Sequence, residues 1–205
     1  MTDPAVIDNT PSVLIALRAA TAESHKTVER LTPFFRPDFG RDGYLKWLHL
    51  MHGFYGVAEQ AIACSDFGLA TGWSYTSRRD LIERDLEMLS APKAQPQSDR
   101  GEVLKPLQQL HQTAEIAGML YVIEGSALGG NVLQKMLHRK AKVTPQLGAS
   151  FFAPHGDDPN ARWRDFVQLL SKLGTTPDME RDIVDGAVVT FNALQDWIIQ
   201  SERTS

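Results

Sequence analysis

Tyr121-Val122-Ile123-Glu124-Gly125-Ser126-Ala127-Leu128-Gly129-Gly130-Asn131 sets three glycines into a stretch that otherwise reads as one long apolar helix. An interior glycine costs about 1 kcal/mol relative to alanine, so the cluster needs a reason. Glycine has no side chain, and another body can lie directly against its backbone. That body is either a neighbouring helix or a flat ligand. A helix that bends at Gly125 to Gly130 frees backbone carbonyls to hold ordered water, and Ser126 adds a hydroxyl. The alternative is a small-residue helix crossing, or a turn between two shorter helices.

Outward from this stretch the whole chain reads as helical. Pro11 and Ser12 precede an apolar repeat at Leu14, Leu17, Thr21, Val28 and Leu31, which Pro33 ends. A second helix, rich in aromatics, is expected from about Tyr44 to Cys64, and a third from about Ser77 to Leu89. Ala91 to Gly101 is rich in proline and glutamine and reads as a surface loop. The glycine-containing helix is expected from Gln112 to His138, followed by a loop over Phe151 to Pro159. Two more helices are expected, from Asn160 to Leu173 and from Pro177 to Gln200, the last with proline at a favoured first-turn position. No strand series and no repeat interrupts this pattern, so the fold class is all-α, one layered helical domain.

Composition removes several function classes. At 205 residues and 42% hydrophobic content the chain is long enough to bury a full core. The net charge of −4 gives no global basic excess, which argues against a nucleic-acid binder. The single cysteine, Cys64, excludes an internal disulfide and a cysteine-rich zinc site, and it fits a reducing cytoplasm. Met1 to Thr10 has neither a basic start nor an apolar run, and no stretch of about 18 apolar residues exists to span a membrane.

His25 stands four residues after Thr21 and three before Val28, so helical spacing places it on the apolar stripe of the first helix. Glu29 follows at i+4, within side-chain reach. An imidazole there can ligate a metal through one nitrogen while a carboxylate one turn away accepts from the other. The plainer reading is a core-edge histidine hydrogen-bonded to Glu29. His49 and His52 at i, i+3 read as hydrogen-bonded core histidines, and His111 with Glu115 as a surface ion pair. Cys64 reads as a small core residue. Two Glu-x-x-His motifs, which a ferritin-like di-iron site needs, do not occur.

Taken together, Leu17-Arg18-Ala19-Ala20-Thr21-Ala22-Glu23-Ser24-His25 resembles the proximal helix of the heme oxygenase family, and Glu124 to Gly130 resembles its distal helix. The likeness is strongest to the bacterial, biliverdin-forming members. The segment from Thr176-Pro177 through Thr190-Phe191 is also similar to the family's last helix, so the resemblance spans nearly the whole chain. It implies a flexible N-terminal segment over 1–10 and a multi-helix heme oxygenase-like domain over 11–205.

The same resemblance implies His25 as the iron ligand and Gly125, Ser126 and Gly129 as the catalytic distal face. Arg18, Glu29, Gly130, Lys135 and Phe191 are then the heme-binding residues. Arg18 matches a basic residue of the family. Lys135, His138, Arg139 and Lys140 form a basic cluster suited either to propionates or to a helix C-terminus. Arg162 and Arg164 are weaker candidates. Many animal-type members carry an aspartate where this chain has Ser126; bacterial members often have the Gly-Ser form. Glu124 should point about 100° away from its glycine neighbour on a helix, and it is not assigned to the site.

The implied reaction is oxidative opening of heme at a meso carbon, giving biliverdin, carbon monoxide and ferrous iron. Heme is both cofactor and substrate, and dioxygen is the co-substrate. Electrons must come from an external donor such as ferredoxin and its reductase, because no Gly-rich strand–turn–helix for a flavin or nicotinamide is present. A heme carrier or sensor on the same fold is the alternative from the binding class. A thiamin-pathway hydrolase relative is a third, disfavoured because Cys64 lacks a histidine partner in sequence.

Overall fold

The computed structural model describes residues 10–92, 102–155 and 158–203. All but Thr10 of the expected N-terminal segment, and most of the expected loop from Ala91 to Gly101, lie outside the described residues.

Helix α1, Ser12–Leu31, buries Val13, Leu14, Leu17 and Thr21; the Thr21 hydroxyl donates to the Leu17 carbonyl. The helix stops where Thr32 turns extended ahead of Pro33, which opens a 3-10 turn over Pro33–Phe35. Helix α2, Arg41–Cys64, carries Tyr44, Trp47, Leu48, Met51, Phe54, Tyr55 and Ala58 into the core. A short α3, Phe67–Thr71, ends at Gly72, whose φ of 71° favours glycine. Ser77 caps α4, Arg78–Met88, by accepting from the Asp80 amide. Another short helix, α5, covers Lys105–Gln108.

Helix α6, Thr113–Ser126, opens with a reciprocal cap. The Glu115 carboxylate accepts from the amides of His111 and Gln112, and it also stands 4.0 Å from the exposed His111 ring, so it caps the helix besides making the expected surface ion pair. The long helix expected from Gln112 to His138 is two helices. α6 tightens into a 3-10 turn at Ala127–Gly129, and α7, Gly130–Ala141, leaves at about 60°. The bend thus falls on the glycine cluster. A 3-10 turn at Ser150–Phe152 follows, then α8, Pro159–Leu173, capped by Asp158, and α9, Pro177–Arg203. Among the described residues there is no strand, only isolated bridges from Thr144.

The frame of the molecule is α9, which packs against both α6 and α1 in the two most extensive pairings of described elements. Two glycines absent from the sequence expectations permit it. A Cβ on Gly118 would stand 2.0 Å from the Ile183 carbonyl oxygen, and one on Gly186 would stand 2.1 Å from that of Glu115. Backbone meets backbone there, so this is the small-residue crossing, and it lies away from the Gly125–Gly130 cluster. Cys64, expected in the core, is the last residue of α2 and is exposed. No single helix among the described residues is long and apolar enough to cross a membrane.

Candidate functional site

His25 stands at the edge of the buried stripe rather than near its middle, and its side chain is 60% exposed. Each four-residue step turns a helix by 400°, a drift of about 40°. Two such steps turn His25 about 80° from Leu17, to the edge of the stripe about 20° beyond buried Leu14, whereas Val28 falls only about 20° from Leu17. The same arithmetic gathers Arg18, Ala22, His25 and Glu29 on one face of α1, and all four are exposed. The His25 Nδ1 atom lies 3.6 Å from a Glu29 oxygen, and the ring meets Phe191 of α9 edge-on at 6.0 Å. Among the described residues nothing hydrogen-bonds its Nε2.

The three glycines of the bend play three different parts. A Cβ on Gly129 would meet nothing within 4 Å, and this residue is exposed beside Leu128 and Val132, apolar side chains 37% and 61% exposed. At Gly125 it would make an ordinary contact of 3.5 Å with the Trp163 ring. Gly130 is buried, and a Cβ there would overlap the Phe152 carbonyl oxygen at 2.4 Å, so packing alone accounts for this glycine. The Ser126 hydroxyl donates to the Ile123 carbonyl at 2.7 Å, which leaves its oxygen as an acceptor.

The cations divide as well. Arg18 has no anionic partner among the described residues and stays exposed. Lys135, His138 and Arg139 line a shallow cavity of about 650 Å³ with Thr144, Pro145 and Gln146. Lys140 is spent elsewhere: its ammonium donates to the Phe34 and Arg36 carbonyls and closes the turn after α1. Arg162 is also committed, stacked over the Trp73 ring at 3.7 Å and bonded to Ser74 and Glu124. Arg164 lies 4.0 Å from Asp158. His52 bonds to Glu83 at 2.8 Å, as a hydrogen-bonded histidine should. Among the described residues no group of three or more metal-ligating side chains converges.

Behind the bend lies a cluster that sequence reasoning missed. Glu124 is 2% exposed. One of its oxygens takes hydrogen bonds from Arg162 at 3.1 Å and the Trp73 indole at 3.3 Å. The other lies 2.7 Å from His155 Nε2 and 3.8 Å from Arg78, which is itself buried. With Nε2–H donating to the carboxylate, that nitrogen has no lone pair for the nearby Arg78 N–H. Burial alone would raise the Glu124 carboxyl, but the His155 hydrogen bond and the charges of Arg162 and Arg78 outweigh it and hold it below the usual range. Burial also pushes the Tyr55 phenol up; it lies against both Arg78 and Ser126. One signal was available: Glu124 is the only charged residue between Ile116 and Gln134. A charge in such a run is buried only when paired.

Comparison with known proteins decides the family. The heme oxygenase family model matches residues 12–200. The chain belongs to the heme oxygenase family. Its members are oxidoreductases. A heme oxygenase of Xanthomonas campestris pv. campestris is 32% identical over 125 residues, 60% of this chain and 68% of that protein. Heme oxygenase PigA of Pseudomonas aeruginosa is 29% identical over 197 residues, covering 92% of this chain and 90% of its own. The fold agrees with solved heme oxygenases. That of Leptospira interrogans superposes with a TM-score of 0.78 at 20% identity, over 92% of this chain and 99% of its own. Heme oxygenase-1 of the cyanobacterium Synechocystis, in complex with heme, gives 0.75 at 19% identity, over 94% and 93% of the two chains.

Proposed function

We propose that this chain cleaves heme oxidatively at a meso carbon, releasing biliverdin, carbon monoxide and ferrous iron, with dioxygen as co-substrate and electrons from an external donor of the ferredoxin and ferredoxin reductase class. The observation that carries this reading is His25: an exposed imidazole with an unpartnered Nε2, seated on Phe191 of the helix that also packs on α6. Family membership and the heme-bound Synechocystis relative support it. The residues present fit heme at two points. Nε2 of His25 is available to iron, and the open side of Gly129 admits a flat ring where any larger residue would intrude.

Bound heme supplies the redox-active iron and, as substrate, the ring that is cut. The protein does the rest. Glu29, beside Nδ1, orients the imidazole and favours the tautomer with a free Nε2. Exposed Leu128 and Val132 flank Gly129 and exclude water from an apolar ring face. Ser126 presents an acceptor oxygen, because its own proton is held by Ile123; it positions a water rather than donating to one. Arg18 and Lys135, without anionic partners among the described residues, would meet the two propionates, whereas Lys140 and Arg162 are already committed.

Titration with hemin, followed in the Soret region, tests the ligand assignment. Wild type is expected to form a one-to-one histidine-ligated complex. His25→Ala should lose that spectrum, and added imidazole should restore it. An unchanged spectrum in His25→Ala would overturn the assignment.

A further inference from the structure

We infer that Glu124 is a positioning residue: its buried carboxylate fixes the point at which α6 gives way to the 3-10 turn, and so sets where the main chain of Gly129 stands toward the ring. The inference rests on the heme reading for what the bend faces.

The bend has little else to hold it. Gly125, Gly129 and Gly130 have no side chains to lock its angle, and the Ser126 hydroxyl donates back to its own helix and, among the described residues, meets only the buried Tyr55 phenol besides. Glu124 acts at both ends of its residue. Its carbonyl accepts the Ala127 amide, the i→i+3 bond with which the helix tightens. Its side chain is gripped from separate elements: Trp73 ahead of α4, Arg78 on α4, His155, and Arg162 on α8. His155 belongs to a strap that clamps the other side of the bend too. Three residues earlier, the Phe152 carbonyl packs on Gly130 and accepts from Gln134 at 2.9 Å. The root of the strap is tied down by Asp85, which accepts from the amides of Ser150 and Phe151. The strap therefore crosses the bend, and the Glu124–His155 bond at 2.7 Å is its free-end fastening.

A buried carboxylate with that many donors is worth more than its share of global stability only if it restrains this one place. Amide hydrogen exchange of the heme-free full chain reads that directly. Glu124→Gln keeps the shape and removes the charge. It is expected to speed exchange over residues 125–130 by about tenfold beyond what its loss of global stability explains. Val13→Ala, which trims a buried contact on Gly174 at the far end of α1, should lower stability without that local excess. In the ferric heme complex at fixed pH, Glu124→Gln should retain the His25-ligated Soret band but shift the ratio of high-spin to low-spin absorption; Val13→Ala should not.

Exchange that simply tracks global stability in both variants overturns the inference, as does an unchanged spin ratio. Should Glu124→Gln not fold, Arg162→Gln removes one donor to the same carboxylate from a half-buried position and is read the same way. Failure of the exchange arm sinks the role of Glu124 and leaves the heme reading standing. Failure of wild type to bind heme does the reverse.

Discussion

Replacing Gly129 with leucine and, separately, Gly130 with alanine pulls apart two reasons for adjacent glycines. A methyl group on Gly130 would stand 2.4 Å from the Phe152 carbonyl oxygen, about 1 Å inside ordinary contact, and the obstacle is backbone. Overpacking of this kind costs about 2–3 kcal/mol, offset by about 1 kcal/mol of helix propensity. The net loss of about 1–2 kcal/mol lowers the melting temperature by about 2–8 °C in a chain of this size. On Gly129 the side chain enters open space, and φ is −75°, which any residue accepts. Gly129→Leu should melt at or slightly above wild type, since leucine gains helix propensity. Hemin binding reverses the order: the leucine occupies the ring face and weakens affinity by about tenfold or more, about 1.4 kcal/mol. Thermal melts by circular dichroism and Soret titrations of both variants read the two quantities. Wild-type hemin affinity in Gly129→Leu would refute the reasoning, and so would a melting loss at Gly129 equal to that at Gly130.

Three further outcomes follow from the same geometry. His25→Ala should change the melting free energy by less than about 0.5 kcal/mol, because the ring is exposed and makes no hydrogen bond to lose; chemical denaturation of the heme-free protein checks it. Gly118→Ala should destabilise by about 3 kcal/mol or more, since its methyl would overlap the Ile183 carbonyl at 2.0 Å on a helix pair that cannot separate locally; a melting temperature near wild type would contradict the crossing. Glu124 has its folded-state pKa held below the ordinary 4.5, so its ionised form contributes stability above about pH 4.5, and that contribution fades as pH falls through the lowered value. Glu124→Gln should therefore be less stable than wild type at pH 7, with the gap narrowing in melts taken below pH 4.5.

Much of the architecture could be read from spacing and punctuation. Pro33, Ser77, Gly174 and Pro177 mark helix ends where the structure has them, because each acts locally through φ, a cap or a missing amide. The bend at Gly125–Gly130 was legible for the same reason. The short helices Phe67–Thr71 and Lys105–Gln108 were not: five and four residues carry too little periodicity to register. His25 lies at the edge of the stripe rather than in its middle, because each step of four drifts by about 40°, and at that edge it is exposed with Arg18 and Glu29. The Gly118–Gly186 crossing depends on two helices 68 positions apart in sequence meeting at those residues, which no local pattern encodes. The Glu124 cluster was hidden likewise, its donors scattered over positions 73, 78, 155 and 162. Cations were the hardest to apportion, because the carbonyls that hold Lys140 and the carboxylate that holds Arg162 lie far away in sequence.

The central claim, that this fold opens heme rather than merely holding it, is tested most directly by the product of one aerobic turnover. The hemin-loaded protein, supplied with ferredoxin, its reductase and NADPH, is followed in the Soret region and the pigment is then resolved by chromatography. The account predicts loss of the Soret band with one equivalent of a biliverdin isomer and one of carbon monoxide. A Soret band that survives reduction under air, with intact heme recovered, would contradict it and leave a heme carrier in its place.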